Sequence, residues 1–278
     1  MSPAPVLGYV DRPGWLHTVT GTAKLVLVVG AVVGAMIGFD LRYLLALCAL
    51  SVVAWVVSRV RLRDLAAVLW IILAFMVLNN LLIFAFAPGY GTELFGTRHV
   101  LLDGPGRWDV TAEQLYYQLL VTLKYGAVLP SVLLFIATTR PPEFASSLHR
   151  IGVPYRVAYA VSLALRYIPD VQREFRTISQ AQQARGLDTS SRASIPVRVR
   201  NLVSVLLPLL LGSLERIETV STAMELRGFG RGRGRTWYDL RPLRGRDAAV
   251  MLLGVVLVAA PIVLLWVNGG RYWNVFAA

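Results

Sequence analysis

Two arginines sit in matched surroundings 42 residues apart: Arg185-Gly186 closes the polar stretch "SQAQQARGLD", and Arg227-Gly228 closes "STAMELRGFG". A guanidinium group carries a permanent charge and a planar fork of donors, so its natural chemistry is paired hydrogen bonding to a carboxylate. Glycine directly after it permits the left-handed turn that ends a helix. The same residue types also make an ordinary helix C-cap, because a cation in the last turn interacts favourably with the negative end of the macrodipole. Spacing alone leaves both readings open. Capping does not explain the surroundings: each pair closes a segment whose face is only partly apolar, and each is followed by a polar stretch, "LDTSSRAS" and "FGRGRGRT". Two such tips resemble docking points for an acidic partner.

Covalent chemistry has little to work with. The chain has no G-x-x-x-x-G-K-[ST] phosphate loop, so any ATP it depends on must be hydrolysed by another polypeptide. It has neither a G-x-S-x-G elbow nor an H-E-x-x-H pair. His17, His99 and His149 are scattered, and the single cysteine, Cys48, lies in an apolar run, which excludes an intrachain disulfide and a cysteine metal site. The expectation is a chain that is not an enzyme and holds no cofactor or metal of its own.

The elements that must position the two arginines belong to a bilayer protein. Of 278 residues, 56% are hydrophobic and only 16% charged, with a mean hydropathy of +0.58, too apolar for one soluble domain. A hydrocarbon core about 30 Å thick needs about 20 apolar helical residues. Five segments meet that need: 21–39, where Lys24 can snorkel at the end; 43–58, short but extensible; 65–86; 114–139, broken only by Lys124; and 248–267. The apolar runs 157–165 and 202–214 are too short and read as helices packed at a surface. Residues 1–20 carry Pro3, Pro5, Asp11, Arg12 and Pro13 and lack the pattern of a cleaved signal peptide, so the first apolar segment is expected to be retained.

Net charge is +12, and residues 140–247 hold 18 arginines against 9 acids. With five spans the positive-inside bias puts "SRVRLRD" (58–64), the N-terminus and this basic segment on the cytoplasmic side of the cell membrane, and the 87–113 loop and the C-terminal tail outside. The basic segment reads as helices near 155–167, 169–185 and 197–227. Val171, Phe175 and Ile178 form one stripe, and Leu206, Leu210, Leu214, Ile217, Val220 and Met224 another. Pro169 and Pro196 are read as helix-start prolines. The division expected is a four-span membrane domain (1–139), a cytoplasmic coupling domain (140–246) and a final span with an external tail (247–278).

Further features carry two readings each. Gly30, Gly34 and Gly38 share one face of the first span and admit close approach of a helix, from a partner or from this chain. Lys124 is either an intramembrane functional group or, if its helix starts near Gln118, a shallow lysine that snorkels. "RGFGRGRGRT" has the composition of RNA-binding segments, but its place before a span, with Arg241, Arg244 and Arg246 following, favours anionic lipid over nucleic acid.

The order of landmarks resembles the transmembrane T component of energy-coupling-factor (ECF) importers, the EcfT/CbiQ-like family. It is carried by "LHTVTGTAKL" before the first span, "TTRPPEFASSLHRIGVP" after the fourth, "SLALRYIPDVQREFRTISQAQQARG", "LLPLLLGSLERIETVSTAMELRGFG" and a last span. The resemblance implies an all-α membrane protein in which two long cytoplasmic coupling helices cross. Each ends in an arginine-centred motif docked on an ABC-type ATPase subunit. Ala184-Arg185-Gly186 and Leu226-Arg227-Gly228 are then the motifs, the second departing from the common form by Leu226 where a small residue is frequent. It also implies two ATPase subunits that bind ATP-Mg and a separate substrate-binding S component, for uptake of a vitamin or transition-metal ion. The alternative is a stand-alone permease that binds its own substrate and would show a polar lining within its spans.

Overall fold

The computed structural model of the chain describes residues 14–104, 108–187, 195–230, 237 and 241–276. The start of the chain, read above for a signal peptide, and most of the polar stretches after Gly186 and Phe229 lie outside the described residues. Contacts divide the molecule into two units. One comprises the described residues through Arg140 together with those from Arg241 onward, and the other lies within residues 141–240.

The first unit contains α1 (Trp15–Thr18), α2 (Gly21–Ile37), α3 (Leu41–Ser58), a single 3₁₀ turn (Leu62–Leu65), α4 (Ala66–Phe86), α5 (Tyr90–Phe95), a two-stranded ribbon of β1 (Val100–Leu102) and β2 (Val110–Thr111), and α6 (Ala112–Thr138). After the second unit the chain returns to it. Of its helices, α3, α4, α6 and the returning helix Gly245–Val267 are long and apolar enough to cross a membrane, and α2 is a shorter apolar helix. At 1.5 Å per residue its 17 residues reach about 26 Å. The core is built from Ala35, Leu44, Leu47, Leu120, Ala127 and Leu257.

Three expectations change here. The 87–113 loop holds α5 and the ribbon, with Val100 opposite Thr111 and Leu102 opposite Val110. They are ordered because Glu113, fully buried, accepts from the backbone N–H of His99 and from the Thr97 hydroxyl, which ties that turn to the start of α6. Helix α6 begins at Ala112 rather than near Gln118, since the Thr111 hydroxyl caps it by accepting from Gln114 N–H. Lys124 therefore lies three turns inside the helix, and its ammonium reaches the Phe39 ring, 3.5 Å from the centroid. Lys24 does not snorkel: it is 3% exposed and donates to the Thr138 carbonyl at 2.8 Å. That carbonyl belongs to the last turn of α6, where helical partners run out.

The second unit contains α7 (Pro141–Arg150), α8 (Tyr155–Ala184) and α9 (Ile195–Leu226); the returning helix, α10, is Gly245–Val267. The two helices expected at 155–167 and 169–185 are one helix, with Pro169 inside it. Proline removes one i to i−4 bond and crowds one carbonyl. Here Pro169 is exposed, and long helical stretches on both sides carry the helix through. Pro196 sits in the first turn of α9, where the missing N–H costs nothing.

Candidate functional site

Both arginine tips end in the same backbone geometry. Gly186 has φ +87° and Gly228 φ +65°, the left-handed region that an L side chain enters only with strain. At the first tip Leu187 N–H donates to the Gln182 carbonyl (3.1 Å) and Gly186 N–H to the Gln183 carbonyl (2.9 Å). At the second, Phe229 N–H donates to Met224 (2.9 Å) and Gly228 N–H to Glu225 (2.9 Å). This reciprocal 6→1 and 5→2 pair is a Schellman cap. It places Arg185 and Arg227 in the same position, the last residue before the chain reverses, and both are exposed. Ala184 is exposed, and Leu226 is 84% exposed, a large apolar side chain set in solvent beside a fixed cation. Capping and presentation are thus one arrangement: the glycine that ends each helix also turns its arginine outward.

The tips are nevertheless far apart. Gln182 donates to the Ser204 carbonyl (3.4 Å), Glu174 pairs with Arg216 (2.6 Å), and Tyr159 stacks near Phe229 with centroids 4.8 Å apart. Ascending positions on α8 therefore meet descending positions on α9, which is an antiparallel hairpin. Arg185 lies level with about residue 201, so 26 residues of α9 separate it from Arg227, a distance of about 40 Å. Two helix C-termini in an antiparallel pair must lie at opposite ends.

The ends differ in their support. Around the α9 tip, Phe229 meets Tyr155 and Tyr159 from the start of α8, and Trp237 packs on Tyr155 with centroids 5.4 Å apart. His149 joins this group edge-on to Tyr155. Arg227 also borders an open groove of about 440 Å³ shared with Arg166, Asp170 and Tyr167. The α8 tip has no aromatic contact of this kind among the described residues. Sequence reasoning did not single out Tyr155, Tyr159, Phe229 or Trp237. One signal was present: an apolar residue just beyond the cap glycine commonly packs back on the helix.

Between the tips the hairpin is thinly packed. Its buried apolar side chains among the described residues of α8 and α9 are Ala158, Val205 and Leu209. The face traced by Leu206, Leu210, Leu214 and Ile217 is exposed, Leu210 by 60% and Ile217 by 62%. The charged pair Glu174–Arg216 lies across the helices instead, half-buried beside Tyr167.

Gly30, Gly34 and Gly38 lie elsewhere, in the first unit, and the face they share meets α10. A Cβ on Gly30 would sit 2.2 Å from the Gly254 carbonyl oxygen, one on Gly34 2.2 Å from that of Leu257, and one on Gly38 2.8 Å from Pro261 Cβ.

Residues 13–238 match the family CbiQ, described as cobalt transport protein. The chain is 31% identical over 185 residues to the energy-coupling factor transporter transmembrane protein EcfT of Exiguobacterium sibiricum, covering 64% of this chain and 69% of that one. It is 32% identical over 171 residues to the protein of the same name from Limosilactobacillus fermentum, covering 57% and 64%. Against that of Brevibacillus brevis it is 28% identical over 269 residues, covering 93% and 96%. The alignments thus span from just under two thirds to nearly all of these relatives' lengths.

Proposed function

The chain belongs to the CbiQ family of cobalt transport proteins, and from that premise we propose that it is the coupling subunit of an ECF-type importer that passes the motion of two ATP-Mg-binding ATPase subunits to a separate substrate-binding membrane subunit. Its cargo class is a vitamin or a transition-metal ion, and it performs no hydrolysis itself. Its second unit lies on the cytoplasmic side, by the arginine bias of residues 140–247.

The observation that carries this reading is the pair of identically capped arginines held about 40 Å apart on one antiparallel hairpin. One small acidic groove cannot accept both, so two separate acceptors are called for. Each guanidinium can hold a carboxylate through two charge-assisted bonds while the acceptor moves. When the two ATPases close on ATP, the two ends of a stiff hairpin are displaced relative to each other. The exposed apolar face of α9, with Leu210, Leu214 and Ile217 on one stripe, is suited to the membrane subunit that must respond, since clustered exposed apolar side chains mark interaction sites.

The direct test compares wild type with the Arg185→Glu/Arg227→Glu double variant, purified in mild detergent from the native membrane, by mass spectrometry of what co-purifies and by uptake. Wild type is expected to bring down ATPase subunits and a small hydrophobic subunit. The double variant should lose the ATPases, keep the hydrophobic subunit and show no uptake. Undiminished ATPase recovery or uptake with both charges reversed would reduce the arginines to caps.

A further inference from the structure

A second concentration of cations lies in the first unit, at the start of α10. Arg241, Arg244 and Arg246 line an open cavity of about 300 Å³ together with His17, Thr20 and Asp247. The carboxylate of Asp247 is fully buried and accepts from Thr20 N–H and Arg244 N–H, both at 2.8 Å. It thereby joins the start of α2 to the start of α10 and shapes the cavity wall. Three arginines and this one carboxylate share the cavity lining. Arg246 donates through Nη2 to the Thr18 carbonyl, which aims its head group, while its Nε is buried with no hydrogen-bond partner. Arg241 leans on the His17 carbonyl at 3.4 Å. A charged donor out of water without an acceptor is costly, and an anionic oxygen would relieve it.

The position narrows what that anion is. Helices α2 and α10 both begin here, at Gly21 and Gly245, so the cavity sits where two apolar helices enter the bilayer. Trp15, 52% exposed on the adjoining α1, is the residue type that settles at headgroup level. Onward from the cavity α10 exposes Leu252 and Val255, surface that acyl chains can cover. We propose that this cavity binds the phosphate of an anionic phospholipid, with Arg241, Arg244 and Arg246 as its ligands. A free phosphate offers the same oxygens but no chains to lie along α10. The site is independent of the coupling role: it sets the entry of the last span, whatever the second unit does.

The test is native mass spectrometry of the full chain in detergent, titrated separately with dioleoylphosphatidylglycerol, dioleoylphosphatidylcholine and inorganic phosphate. One phosphatidylglycerol is expected to be retained at least about fivefold more tightly than phosphatidylcholine, with inorganic phosphate unable to displace it at millimolar concentration. Each juxtamembrane arginine contributes roughly fivefold to such binding, so Arg241→Gln/Arg244→Gln should weaken retention by about tenfold or more. Arg241→Lys/Arg244→Lys, which keeps the charge, should stay within about threefold of wild type. Neither variant touches the Asp247 backbone bonds, and an unchanged size-exclusion profile confirms folding. Equal retention of the two lipids, or of phosphatidylglycerol by wild type and the glutamine variant, would overturn the site. Displacement of the lipid by inorganic phosphate would overturn the lipid as its ligand.

Discussion

The α2–α10 pair meets backbone to backbone, whereas the α8–α9 pair meets through long side chains. In the first, glycines 30, 34 and 254 let helices approach until a single added methyl would strike a carbonyl, and the Tyr43 hydroxyl, from the neighbouring α3, donates to the Leu257 carbonyl of α10 at 2.8 Å. Within a bilayer apolar surface gains little by facing other apolar surface, so tight packing and satisfied polar groups supply the cohesion. In the second pair an ion pair and a few small contacts bridge the helices, open grooves remain along them, and leucines face outward. The difference teaches where cohesion resides. In the first unit it is concentrated in the interlocked α2–α10 contact, while α4 turns its apolar side chains outward, whereas the hairpin leaves apolar side chains and open grooves along its whole length.

Four changes would break or sharpen that contrast, in falling order of effect. Gly34→Leu should be the most damaging, since its side chain collides with the Leu257 carbonyl and displaces the Tyr43 hydroxyl. Overpacking of this severity costs about 3 kcal/mol or more, and monodisperse protein should largely vanish from detergent extracts. If Gly34→Leu instead purifies with an unchanged melting midpoint, the α2–α10 contact is not what holds the first unit.

Leu210→Glu with Leu214→Glu should leave the protein folded, because both side chains are exposed, yet eliminate uptake and recovery of the hydrophobic partner. Full uptake by this variant would mean the face is not an interface. Next come Gly186→Ala and Gly228→Ala. Neither methyl meets an atom within 4 Å, so the penalty is purely the left-handed backbone, about 1–2 kcal/mol at each tip. Hydrogen exchange should rise locally at residues 182–187 or 224–229, with ATPase affinity falling several-fold and the melting of the first unit unmoved. The smallest effect belongs to Glu174→Gln. A partly exposed ion pair contributes about 0.2–1 kcal/mol, so faster exchange in the middle of α8 and α9, with folding intact, is the expected result.

Much of this was legible from local pattern. The apolar segments emerged by length and charge content alone, and the caps followed from Arg-Gly beside helical periodicity. The all-α membrane architecture and family likewise agree with the reading of the landmarks. Pro169 misled because a proline rule based on one lost bond cannot weigh the thirty-residue helix around it. The stripe through Leu206, Leu210 and Leu214 marks an apolar face correctly, but periodicity does not say what covers it. Val205 and Leu209, one position earlier, are the ones turned against the rest of the unit.

What the sequence by itself determined is therefore everything set within a few turns of chain: the apolar spans, the amphipathic helices, the arginine caps and the uneven charge. What only the tertiary structure decided is which distant segments meet. The Gly30 face lies on α10, more than two hundred residues away, the start of α2 is tied through Asp247 to the start of α10, beside a cavity lined by three arginines, and α8 runs against α9 so that its arginine ends about 40 Å from the other. Helix formation depends on neighbours in sequence, whose spacing can be read directly, but pairing depends on complementary shape and unsatisfied polar groups brought together from separate stretches, which no single stretch records.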